Sequence, residues 1–136
     1  MSSLAKEAAK EIAEFLNGKE FFDEILSAEM KLIPEKNLSL VKELKAVVVP
    51  HSFKSSVNRS TRDREIVLDI GITRRASESE LEKMLDITQS VGDLLEGKLF
   101  SAGVCIEIEY APLYDVDAYI QAQAFISVLS ARIRVL

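Results

Sequence analysis

Chemistry in this chain would have to pass through very few side chains. There is one histidine, His51, and one cysteine, Cys105. His51 follows Pro50 at the end of an apolar run, and a nucleophile–histidine–acid triad would need it. Yet no serine or cysteine stands in an elbow such as G-x-S-x-G, and a loop histidine is ordinarily a solvated one. Cys105 lies in VCIEIEY, a glutamate-rich stretch that raises a thiol pKa and disfavours a reactive role. Asp115 and Asp117, with Asp63 or Asp69, offer oxygen ligands, but the spacing is not that of a calcium loop. Turn aspartates usually bond the backbone instead. No Walker loop, G-x-G-x-x-G or C-x-x-C is present. The reading is a chain without catalytic residues, metal ligands or cofactor.

A second kind of chemistry is electrostatic. Residues 52–64 hold Lys54, Arg59, Arg62 and Arg64 against Asp63 alone, a net +3 in a chain whose overall charge is −5. Such a patch could meet phosphate or an acidic protein surface. With Phe53 as its one aromatic, the signal for nucleic-acid recognition is weak. Arg132 and Arg134 add two exposed charges near the end of the chain, where on an edge strand they would block unwanted pairing. These six basic residues are the candidate interface.

Two apolar runs must position the basic segment. Ala46-Val47-Val48-Val49 stops at Pro50, which has no amide hydrogen to give. Glu65 to Thr73 alternates, with Ile66, Leu68, Ile70 and Ile72 on one face, as a strand covered on one side does. The dozen residues between are read as a long polar loop, far more than a hairpin needs. A compact domain carries such an arm to meet a partner.

The remaining elements frame this pair. Leu4, Ala8, Ile12, Phe15 and Leu16 predict a helix over 3–17, ended by Asn17-Gly18. Phe22 to Ile33 reads as a strand stopped by Pro34, and 35–44 as a short helical turn or a polar connection. Ser77 and Glu80 form a capping box, and Leu81, Met84, Leu85, Thr88, Val91, Leu94 and Leu95 form one helical stripe ended by Gly97. Residues 104–110 alternate, with Val104, Ile106, Ile108 and Tyr110 inward and Cys105, Glu107 and Glu109 outward. The connection APLYDVDAY leads to a last strand, Gln123 to Leu136, with Phe125, Leu129, Ile133 and Val135 on one side. The expected fold is a single α+β domain over 1–136: two layers, a mixed or antiparallel sheet of about five strands, and two main helices on one face.

Composition agrees with a folded domain. The 136 residues are 48% hydrophobic and 29% charged, which excludes disorder as the main state. The acidic balance argues against general nucleic-acid affinity, and a lone cysteine suits a reducing compartment. No apolar run approaches the ~20 residues of a membrane helix. The start, MSSLAKEAAKEIAEF, is too charged for a signal peptide, so use in a cytosol is expected.

In this order, the pieces resemble a family of small tail-terminator and tail-completion proteins of long-tailed phages and prophages. The resemblance spans roughly 20–136. It runs through VVVP, an arginine-bearing polar segment, EIVLDIGI, the helix ESELEKMLDITQSVGDLL, a glutamate-rich strand closing on APLYD, and QAFISVLSARIRVL. It implies a non-enzymatic subunit without cofactor that forms a ring, usually a hexamer, in the host cytoplasm during assembly and then in the virion tail. Its partners would be its own copies, the tail tube protein and the head–tail connector, with DNA passing through the lumen and no membrane. Two other readings stand beside it: a small nucleic-acid-binding module using 52–64, and an enzyme whose site forms between chains around His51 and Asp115. Neutralising Arg59, Arg62 and Arg64 together is expected to move thermal stability little, since exposed substitutions usually shift it by within ~0.5 kcal/mol each, while impairing assembly. A large fall in melting temperature would make the segment part of the core.

Overall fold

The computed structural model describes residues 3–32, 43–58, 61–110 and 114–136. The first helix, α1 (Leu4–Leu16), starts at Ser3, whose hydroxyl accepts from the Lys6 amide at 3.1 Å. Its periodic Ala8, Ala9, Ile12, Ala13 and Leu16 are buried. Beyond the cap Asn17, Gly18 takes φ +84° and donates its amide to the Leu26 carbonyl, turning the chain back under the helix.

The single strand expected over 22–33 is instead a turn and two short strands, with a further short strand just before it. Strands β1 (Glu20–Phe21) and β2 (Glu24–Ile25) make a tight antiparallel hairpin, and β3 (Ser27–Met30) follows. Phe22 and Asp23 occupy the turn at φ +50° and +70°. The alternation therefore spans a chain reversal, leaving Leu26 buried and Phe22 half exposed. Pro34 and 35–42 lie outside the described residues.

Pro50 does not end its strand. β4 (Lys45–Asn58) pairs along its length with β5 (Thr61–Arg75), so 52–64 is mostly a β-ribbon and not a loop. The reason is partner geometry. β3 runs parallel to β4 and pairs with it only as far as Val48, so among the described residues β4 is an edge beyond that point, where proline is tolerated. A register shift between Pro50 and Ser52 makes His51 the extra residue of a bulge.

The sheet order is β3-β4-β5-β7-β6, antiparallel throughout except β3 with β4. β7 (Ala124–Val135) lies between β5 and β6 (Gly103–Tyr110). Ile66, Leu68, Ile70 and Ile72 of β5, with Phe125, Leu129, Ala131 and Ile133 of β7, are fully buried. Each such large side chain contributes roughly 1.5–3 kcal/mol. α1 covers the β3–β4 side of this face. α2 (Leu81–Leu95) covers the β6–β7 side. Glu80 accepts from the Ser77 amide at 3.0 Å in the expected capping box, which opens a single 3-10 turn, Glu78–Glu80, ahead of α2. Ile87 and Gly92 join the buried stripe, Leu81 and Leu85 are half-buried, and Leu94 is exposed. Phe15 of α1 meets Phe100 edge-on at 5.8 Å, which ties the two helical sides together.

Two further expectations need correction. In β6 a register shift between Cys105 and Glu107 resets the alternation. Cys105 is therefore buried and Ile106 exposed, while Ile108 and Tyr110 face the core as expected. Part of the connection APLYDVDAY is helical: α3 (Val116–Ala122) starts at Asp115, whose carboxylate accepts from the Ala118 amide; 111–113 lie outside the described residues.

A β-carbon on Gly103 would collide with the Arg134 backbone carbonyl, whereas one on Gly71 would meet nothing within 4 Å. Gly103→Ala is therefore expected to lower the melting temperature strongly. Gly71→Ala should be neutral or raise stability by about 0.4–1 kcal/mol through the unfolded chain. Thermal denaturation of both variants checks the pair.

Candidate interaction surface

The long β4–β5 hairpin outruns its neighbours. β7 pairs with β5 from Arg75 only up to Glu65. The pairs Ser55–Arg64, Ser56–Asp63, Val57–Arg62 and Asn58–Thr61 therefore form a two-stranded ribbon beyond the rest of the sheet. Val57 stands on it, 74% exposed, and Phe53, 47% exposed, lies just before it, opposite Ile66.

The basic residues divide on this frame. Lys54 is exposed, with no ion pair among the described residues. Arg59 lies outside the described residues, and Arg62 is placed by its backbone in β5 opposite Val57. Arg64 is half-buried. Lys54, Arg64 and Arg134 line one shallow recess with Ser56, Asp63 and Glu65, so carboxylates stand among the cations. Arg132 bridges strands, reaching Glu107 of β6 at 3.0 Å and Glu65 of β5 at 3.7 Å, and Arg134 lies 3.9 Å from Asp63. Such exposed pairs contribute about 0–1 kcal/mol each. β7 is an interior strand, so Arg132 and Arg134 guard no edge; they brace the sheet surface.

The residues weighed for catalysis are dispersed. His51 Nδ1 lies 2.8 Å from Asp69 Oδ2, but the two side chains are 61% and 36% exposed, and no nucleophile completes the pair among the described residues. Cys105 points to the opposite, buried face of the sheet. Burial pushes its thiol up to about 11, despite a weak hydrogen bond to the Glu107 carbonyl. Asp115 caps α3 and donates its amide to Ile126, which pairs with Thr73. His51 sits beside the Pro50–Leu68 pair, about 17 Å away along β5 at the usual strand rise. One chain does not bring His51 and Asp115 together. Among the described residues, no three His, Cys, Asp or Glu side chains converge as a metal site, and no helix is long and apolar enough to cross a membrane.

A little-exposed cluster of ion pairs was invisible in the sequence. Arg74, at the end of β5, meets Glu24 of the small hairpin at 2.6 Å and Glu80 at 2.8 Å, while Lys83 holds the other Glu24 oxygen at 2.9 Å. The arginine and Glu24 side chains are only 11% and 16% exposed. Glu24 lies far from Arg74 in sequence, and of the four residues only Glu80 was marked, by the capping box. The cluster pins β1–β2 and the start of α2 to the sheet, a structural task.

No protein-family model matches the chain, and no curated protein matches it in sequence. What the fold defines is a class: a two-layer α+β domain with a mixed five-stranded sheet.

The Ser77 amide, then the Arg74 guanidinium, hold the Glu80 carboxyl down at about 2. Its folded pKa lies below the unfolded value, so its stabilising contribution is present above about pH 4.5 and fades as pH falls toward 2. Glu80→Gln is expected to lower the melting temperature at pH 7, with the gap to the parent closing toward pH 2. A gap independent of pH would remove charge from the account.

Proposed function

We propose that this protein is a structural assembly subunit, a tail-terminator or tail-completion type protein of a long-tailed phage or prophage. It works as a ring of its own copies, ending growth of the tail tube and presenting the surface on which the head–tail connector docks. The observation that carries the reading is the hairpin that runs past the sheet, with Val57 exposed on a ribbon of otherwise polar residues and Phe53 exposed at its base. A two-stranded ribbon is marginal alone in water. Exposed apolar side chains on it are what a partner surface would cover. Head-to-tail contacts between copies generate rings when the rotation closes. Support also comes from the order of motifs along the chain.

The nucleic-acid reading draws less support, because Asp63 and Glu65 offset the cations of the recess they share. In this proposal the protein is not an enzyme and works without a cofactor.

Light scattering and negative-stain microscopy test the reading. Annular particles of several copies, and arrest of tube growth when the protein is added to polymerising tube subunits, are expected. A strict monomer at high concentration, inert toward tube subunits, would refute it.

A further inference from the structure

Among the described residues the sheet has two open edges, and they match. On one side, β4 loses β3 after Val48, so among the described residues its edge is free from Val49 to Asn58. On the other, the segment after α2 folds back on β6 and satisfies its start: the Cys105 amide donates to Lys98, and the Cys105 carbonyl accepts from Gly97. Among the described residues, the edge of β6 is then free from Ile106 to Tyr110.

Three properties align these edges. The first is height: Glu107 pairs with Arg132, Arg132 with Val67, and Val67 with Ser52, so both free stretches lie at one level of the sheet. The second is direction. β6 is antiparallel to β7, β7 to β5 and β5 to β4; a second copy set beside the first in the same sense brings its β4 antiparallel to β6. The third is side-chain chemistry. Glu107 and Glu109 stand on the face away from the core in β6, as Lys54 does in β4, and Lys54 and Glu109 have no ion pair among the described residues. On the core-side face, Phe53 is 47% exposed and Ile108 is half-buried.

We infer that the free edge of β6 in one copy adds to the free edge of β4 in the next, in the register Glu107–Lys54, Ile108–Phe53, Glu109–Ser52, with the His51 bulge ending the match. This pairing sets opposite charges together on one face and apolar groups together on the other, as strand addition between chains requires. The same patch is not used on both partners, so the contact is heterologous and propagates from copy to copy. The inference rests on the assembly reading above and names the surface through which it works.

The test is a disulfide between Ser52→Cys and Glu109→Cys. Within one chain these positions lie on opposite sides of the sheet, about 14 Å apart across three strand spacings, too far for a bridge. Both are exposed, and the native thiol is buried. Mild oxidation with diamide of the doubly substituted chain should give a reducible ladder of covalent multimers, while either single variant stays monomeric on a denaturing gel. Native mass spectrometry of the unoxidised parent separates the failures. An oligomer without a ladder overturns this pairing and leaves the assembly reading standing. A monomer at every concentration overturns both.

Discussion

The antiparallel ladder between β4 and β5 is the constraint on which the other contacts depend. β5 places Ile66, Leu68, Ile70 and Ile72 on one face without exposure, and that apolar surface receives both helices. Because alternation has period two, slipping the ladder by one residue would turn all four into solvent. The bulge at His51 lets β4 continue past Pro50 while keeping Phe53 opposite Ile66. The same ladder that builds the core thus carries the ribbon out beyond it.

Length mismatch between strands converts this scaffold into a surface. β3 and β6 are short, with four and eight residues, whereas β4 and β5 have fourteen and fifteen. A sheet of unequal strands leaves backbone donors and acceptors free where the short strands stop. Natural sheets usually blunt such edges with charge, proline or bulges. β4 has Pro50, the His51 bulge and Lys54, and β6 has its own bulge at Ile106 with Glu107 and Glu109 beside it. The two sets of edge charges are opposite in sign, which disfavours each edge pairing with itself and favours one with the other.

The polar contacts that hold the elements in place are local at one end and long-range at the other. Ser3, Ser77 and Asp115 start helices through bonds to residues three positions on. Arg74 gathers Glu24, Glu80 and, through Glu24, Lys83 into a little-exposed cluster. Glu11 accepts from the Ser101 amide and hydroxyl, fastening α1 to the turn after α2. Of the residues in the proposed seam, Glu107 also takes part in a bridge across the sheet surface, with Arg132.

Much of this was legible from residue order, wherever a local rule governs. The helical stripes of α1 and α2, the Ser77–Glu80 box, the period of β5 and β7, and the two-layer α+β class all follow from spacing, because burying one face requires it. The failures share a cause. Pro50, the turn at Phe22-Asp23 and the register shift after Cys105 each interrupt a pattern in a way that depends on a neighbouring strand. Proline was acceptable because β3 had already ended, and Cys105 went inward because β6 takes one more residue than β7 at that point. Sequence also placed Arg132 and Arg134 on an outer face but not on an interior strand, since strand order is a property of the assembled sheet. Composition and periodicity thus determined which residues are buried in the long elements. The tertiary structure alone decided which strands have no neighbour, because an edge exists only once every other strand has been placed.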